Sequence, residues 1–276
     1  MSRKIQPEAW GTPEKACVTL TFGEVAENGV KMQQIGEISE DGFLVSELEA
    51  ARDAFTEKGA KATLYHLNDL FEGSGEVQAA ILVVRGGLRA LGVDPDDIFE
   101  EQKSLSPDQK CLNRGRVVNK WARYNLCYSD ESQPPDYEKG HGTIISYAQV
   151  PHLQSLREKL PEVLGEKARD LKVEGNYYYD AEKTYIGWHG DTERRLVIGT
   201  RFGADFDFWI QYYQRSVAVG KALRITLHHG DLYVLSEKAV GTDWKMKVIP
   251  TLRHAAGPSK LFMRTPSEEE TILFED

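Results

Sequence analysis

The sequence predicts an α+β fold that is mainly β, with a jelly-roll type of sandwich or barrel behind a helix-containing N-terminal part. Two observations predict it. From residue 112 onward, strand-like runs recur at short spacing with turn residues between them. Before that point, helix-period and strand-like segments alternate. The chain has 276 residues, 41% of them hydrophobic and 28% charged, so it can bury a sizeable core without disulfide or metal staples.

Taken in order, 17–22 alternates Cys-Val-Thr-Leu-Thr-Phe and reads as a strand. Ser46 and Glu49 have capping-box spacing and open a helix that ends at Gly59, with Leu48, Ala51 and Phe55 on one face. The apolar run 77–84 fits a buried strand or a helix segment. Residues 94–109 are acidic, contain Pro95 and Pro107, and read as a connector. A boundary near 110 then divides an N-terminal extension of unassigned role, 1–110, from a second domain, 111–276. In the latter, strands are expected at 115–118, 121–128, 142–147, 175–179, 184–188, 196–202, 206–213, 222–227, 231–235 and 260–264. One helix is expected at 152–164, with Leu153, Leu156 and Leu160 on one face.

Several function classes are disfavoured. The longest apolar run, 79–84, is too short to span a bilayer. The first residues lack the apolar stretch of a secretory signal, which leads to an intracellular expectation, cytoplasmic or nuclear. Cys17, Cys111 and Cys127 form no C-x-x-C pair, so neither a disulfide framework nor a zinc knuckle is expected. The net charge of −9 is not that of a general nucleic-acid binder, although it leaves room for a local basic patch.

The residues that point to chemistry are His189 and Asp191. Two apart at a strand end, they share a face. An imidazole and a carboxylate can take neighbouring positions on an octahedral metal, and a distant histidine would complete a facial triad with three positions left open. His228, His229 and His254 are the candidates for that third place.

The surroundings of the pair resemble the AlkB-like branch of the Fe(II)/2-oxoglutarate-dependent oxygenases. Asn176 and Tyr178, then Ile186, Gly187, His189, Asp191 and Glu193, stand in the order of that family's motif. Upstream, 120–129 resembles the family's first substrate-facing strand. Downstream, Gly230-Asp231-Leu232 resembles its Gly-Asp-Leu strand, and Asp243-Trp244 the segment before the last histidine. The resemblance covers about 112–266 and implies a double-stranded β-helix core. It also implies Fe(II) and 2-oxoglutarate as cofactor and co-substrate, oxygen as oxidant and ascorbate as a reductant.

An ungapped comparison with the family puts Met246 at the third metal position, and a thioether is a poor ligand there. A shifted register instead gives His254, which stands ten residues before Arg264, the spacing seen in the wider superfamily. Arg264, with Lys260 beside it, is then the cation expected to grip the distal carboxylate of the keto acid. Asn176 and Tyr178 would hydrogen-bond the same molecule.

For the substrate, the resemblance implies a modified nucleobase in DNA or RNA, hydroxylated or demethylated. Arg114, Arg116, Lys120 and Arg123, interleaved with Trp121 and Tyr124, can stack a flipped base and hold phosphates. Trp188, Glu193 and Arg194 are further substrate-facing candidates. Arg194 and Arg195 also fit simple pairing with nearby acids. Two alternatives stand beside this reading. One is a hydroxylase of a protein side chain or small molecule, which suits the acidic charge. The other is a non-catalytic binding module on the same fold, suggested by Met246.

Overall fold

The computed structural model describes residues 14–262 and 272–273. The chain begins with β1 (Cys17–Gly23), β2 (Val25–Glu27) and β3 (Gln34–Gly36), followed by α1 (Val45–Glu57), β4 (Lys61–His66), β5 (Ala80–Arg85), α2 (Gly87–Ala90) and α3 (Pro95–Lys103). The middle holds β6 (Lys110–Asn113), β7 (Arg116–Asn119), β8 (Tyr124–Ser129), β9 (Ile144–Ser146), α4 (Pro151–Lys159) and α5 (Pro161–Leu164). Then come β10 (Lys172–Tyr178), β11 (Ile186–His189), β12 (Val197–Gly203), β13 (Phe206–Gln214), β14 (Val217–Leu227), β15 (Leu232–Leu235), α6 (Glu237–Val240), β16 (Thr251–Ala256) and β17 (Ile272–Leu273). The fold is mainly β. No helix among the described residues is long and apolar enough to cross a membrane.

Two sheets dominate. The larger has eight strands in the order β4-β5-β15-β12-β1-β10-β8-β9, and the smaller has five in the order β11-β16-β13-β14-β17. Side chains alternate between the faces of a strand, so the larger sheet has two different surfaces. Val18, Leu20 and Phe22 of β1, with Val173 and Tyr177 of β10 and Ile198 and Phe202 of β12, share a buried cluster with Leu48, Ala51 and Phe55 of α1, Ile98 of α3 and Leu153 and Leu156 of α4. On the opposite face, Ile81, Val83, Val197, Tyr233 and Leu235 cluster with Phe208, Ile210, Ile225 and Leu252 of the smaller sheet.

The structure changes several expectations. The division at residue 110 is not a division of the sheet. β1 pairs with both β10 and β12 at the centre of the larger sheet, and β5 pairs with β15. A strand buried on both faces needs neighbours on both edges, and the later part of the chain provides them. The acidic stretch after residue 94 is the helix α3, not a connector: Asp94 caps it by accepting from the Asp96 amide, and Pro95 begins it. The capping box of α1 lies two residues earlier than expected, where the Glu47 carboxylate accepts from the Leu44 amide at 2.7 Å. Pro161 splits the expected helix 152–164 into α4 and α5. At the expected strand 260–264, residues Ser259–Leu261 form a short 3-10 turn, so Lys260 is not on a strand. Arg264 lies outside the described residues.

Candidate metal centre

β11 ends at His189, and the chain turns through Gly190 to Asp191. The turn needs glycine: a Cβ at Gly190 would meet the Gly241 carbonyl oxygen at 2.2 Å. The Asp191 amide donates to the Val240 carbonyl at 3.1 Å, which pins the turn beside α6. Across the ladder, His254 of β16 stands opposite His189. One ligand atom from each of His189, Asp191 and His254 lies within 4.8 Å of the other two.

Asp191 Oδ1 is 3.6 Å from His189 Nε2 and 3.7 Å from His254 Nε2, and the two ring centroids are 4.4 Å apart. These separations are long for hydrogen bonds. A cation bound at roughly 2.0–2.2 Å from each donor would bridge them with modest adjustment. His189 Nδ1 contacts the Gly187 carbonyl at 2.7 Å; a carbonyl can only accept, so Nδ1 carries the proton and Nε2 is left bare toward Asp191. Burial, then the neighbouring His254, pushes the His189 imidazole well below its ordinary range, which keeps it neutral as a ligand must be. Burial opposes ionisation of Asp191, but the neighbouring Arg194 guanidinium above all brings its carboxyl below the usual carboxylate range. Two imidazoles and one carboxylate are a donor set for a divalent first-row metal.

Behind the triad runs a buried polar network. The Arg194 guanidinium pairs with Glu174 at 2.6 Å and Glu193 at 3.1 Å, and its Nε is 3.6 Å from Asp191. Asn176 Nδ2 donates to Glu174 at 3.1 Å, and Asn176 Oδ1 accepts from Arg123 at 2.5 Å and from Asn125 at 2.7 Å. Lys120 in turn donates to Asn125 Oδ1 at 2.9 Å. Arg194 is therefore a buried counter-charge beside Asp191, paired with acids rather than open to solvent. Arg195 also pairs with an acid, Glu237, at 2.5 Å.

Of the remaining expected residues, Tyr178 is buried against the Phe206 ring, at 4.5 Å between centroids, on the face of the sheet that carries Asn176. Tyr124 stacks on Tyr179 at 5.1 Å. Trp188 packs edge-on against Phe262 and tilted against Tyr213, beside the first ligand. Met246 is 53% exposed in the segment before β16 and is no part of the triad. His228 pairs with Asp205 at 2.8 Å, while His229 accepts from the Gly203 amide and faces Asp96. Neither joins His189 and Asp191. Lys260 is exposed on its turn.

A groove of about 520 Å³ opens beside this network, and Lys31, Arg114, Lys120 and Arg123 line it without any carboxylate. Trp121, also on its wall, is 80% exposed. Arg123 links the groove to the buried network through its bond to Asn176, which in turn bonds Glu174.

One residue of the interior carries no signature in the motif. Arg201 of β12 is fully buried on the face shared by Thr19 and Asn176, which stand beside it in register across β1 and β10. Its position inside the strand-like run Leu196–Phe202 is the one sequence signal that could have marked it.

No protein-family model matches the chain. It is 42% identical over 252 residues to the uncharacterized protein R156 of Acanthamoeba polyphaga mimivirus, an alignment covering 90% of this chain and 98% of that one.

Proposed function

The chain belongs to the family of the mimivirus protein R156, and we propose that it is an Fe(II)/2-oxoglutarate-dependent oxygenase acting on a modified nucleobase in DNA or RNA. The observation that carries this reading is the convergence of His189, Asp191 and His254 from two strands of one sheet. A facial set of two histidines and one carboxylate leaves positions open for a bidentate co-substrate and oxygen. The two facing sheets suit the double-stranded β-helix expected of such enzymes.

When bound, iron with 2-oxoglutarate and oxygen supplies oxidation of a substrate C–H bond, coupled to decarboxylation of the keto acid to succinate. The protein's own part is geometric and electrostatic. His189, Asp191 and His254 would hold the metal, and Arg194 keeps Asp191 ionised and oriented. Tyr178 lines the interior in which the keto acid would lie. The basic groove would guide the phosphates of a strand, and Trp121 offers a face on which a base can stack. The overall charge of −9 favours the second reading, a hydroxylase of a protein side chain or small molecule.

The test is succinate formation from 2-oxoglutarate with Fe(II), ascorbate and oxygen, for the wild type and His254→Ala, with a panel of methylated oligonucleotides analysed by mass spectrometry. Turnover that disappears in the variant supports the triad, and loss of methyl groups from an oligonucleotide supports the nucleobase. Turnover without any oligonucleotide product favours the second reading. Absence of both turnover and metal binding sinks the oxygenase.

A further inference from the structure

The Arg201 guanidinium is 0% exposed, in the interior between the two sheets. Its Nη1 donates to Thr19 Oγ1 and contacts Cys17 Sγ at 3.3 Å. Its Nε and Nη2 have no hydrogen-bond partner. Those two nitrogens lie along one edge of the guanidinium with their N–H bonds parallel, the edge a carboxylate engages with two hydrogen bonds.

No carboxylate of the described residues forms an ion pair with Arg201. The groups around it are Cys17, Tyr178, Tyr233 and the Phe206 ring, 5.1 Å from the guanidinium carbon. Burial pushes the Cys17 thiol and both phenols up, so none is an anion at neutral pH. A full positive charge is thus held out of water with no negative charge against it, an arrangement proteins rarely keep without a counter-ion. The interior is shared with the metal centre, because Tyr233 lies within electrostatic range of both Arg201 and Asp191. Its ring also packs on Phe208, which stacks on His254.

We propose that Arg201 is the cation that grips the distal carboxylate of a keto dicarboxylate bound between the two sheets, in the role the sequence assigns to Lys260 and Arg264. Thr19 and Cys17 hold the Nη1 corner and so turn the open edge of the guanidinium toward the ligand. The assignment rests on the oxygenase reading, since it takes 2-oxoglutarate as the occupant.

The experiment is calorimetry on the Mn(II)-loaded protein with 2-oxoglutarate and with pyruvate, which lacks the distal carboxylate. The proteins are the wild type, Arg201→Gln, Arg201→Lys and Arg264→Ala. Arg201→Gln is expected to weaken 2-oxoglutarate binding by about 10- to 100-fold, the loss of a charge-assisted pair. Mn(II) and pyruvate affinities should stay within about twofold. Arg201→Lys keeps the charge in place of the fork and should recover part of the loss, which covers the case in which the glutamine variant does not fold. Wild-type affinity for 2-oxoglutarate in both Arg201 variants, or the loss appearing in Arg264→Ala instead, overturns the assignment. A wild type that binds Mn(II) but neither acid sinks the oxygenase reading itself.

Discussion

The two faces of the eight-stranded sheet are made from the same strands and do different work. On β1, Val18, Leu20 and Phe22 point to the helices and are fully buried in an apolar cluster. Their neighbours Cys17, Thr19 and Thr21 point the other way and meet Tyr178, Asn176 and Glu174 across the ladder. β10 repeats the pattern, with Val173 and Tyr177 outward and Glu174, Asn176 and Tyr178 inward. At β1 and β10 one face is apolar and the other carries a polar interior, whereas at β5 and β15 both faces are apolar, with Ile81, Val83 and Leu235 packed against the smaller sheet. On β1 and β10 the alternation separates apolar packing from the buried polar network at a spacing of one residue.

The sharpest way to break this contrast is Arg194→Gln. It leaves Glu174 and Asp191 buried without their cation and should cost about 3–5 kcal/mol of stability in the metal-free protein, measured by denaturant unfolding. A cost below about 1 kcal/mol would mean that water reaches these carboxylates and that the inner face is not a closed polar network.

On the apolar face, Leu20→Ala should cost about 2–5 kcal/mol by loss of buried surface and cavity formation. Mn(II) affinity of the fraction that stays folded should be unchanged, as titration calorimetry can check. A matching loss of metal affinity would show that the two faces are coupled through β1.

The smallest expected effect concerns Lys120, at the edge of the polar network. Burial lowers its ammonium to about 8 in the folded chain from an ordinary 10.5. Between those values the unfolded chain binds more protons than the folded one, so this group adds stability as pH rises from about 8 to 10.5 and withdraws it as pH falls. Unfolding midpoints of the wild type across that window should shift upward relative to those of Lys120→Met. Parallel curves would place Lys120 in contact with water.

Parts of the fold and site were legible because their signals are local. The strand alternation of 17–22 and the apolar face of α1 appear in the structure where the periodicity puts them. The pairing of His189 with Asp191 follows from two residues at one strand end. The choice of His254 over His228, His229 and Met246 had only spacing to support it, and the register of β16 against β11 is what brings His254 to the pair. Arg194 could be read as substrate-facing or paired, since its partner Glu174 is 20 residues away. Arg201 was missed because a charge in a strand-like run shows its burial and its company only once its neighbours are known.

By itself, the sequence determined the alternation that gives β1 an apolar and a polar face, and the His189 and Asp191 pair that shares one strand end. Only the tertiary structure decided that β1 belongs at the centre of the larger sheet, which histidine completes the triad, and which arginine is buried without a counter-charge. The physical reason is range: side-chain direction along a strand is set by its own backbone, whereas pairing register and the company of a buried charge are set by segments far apart in the chain.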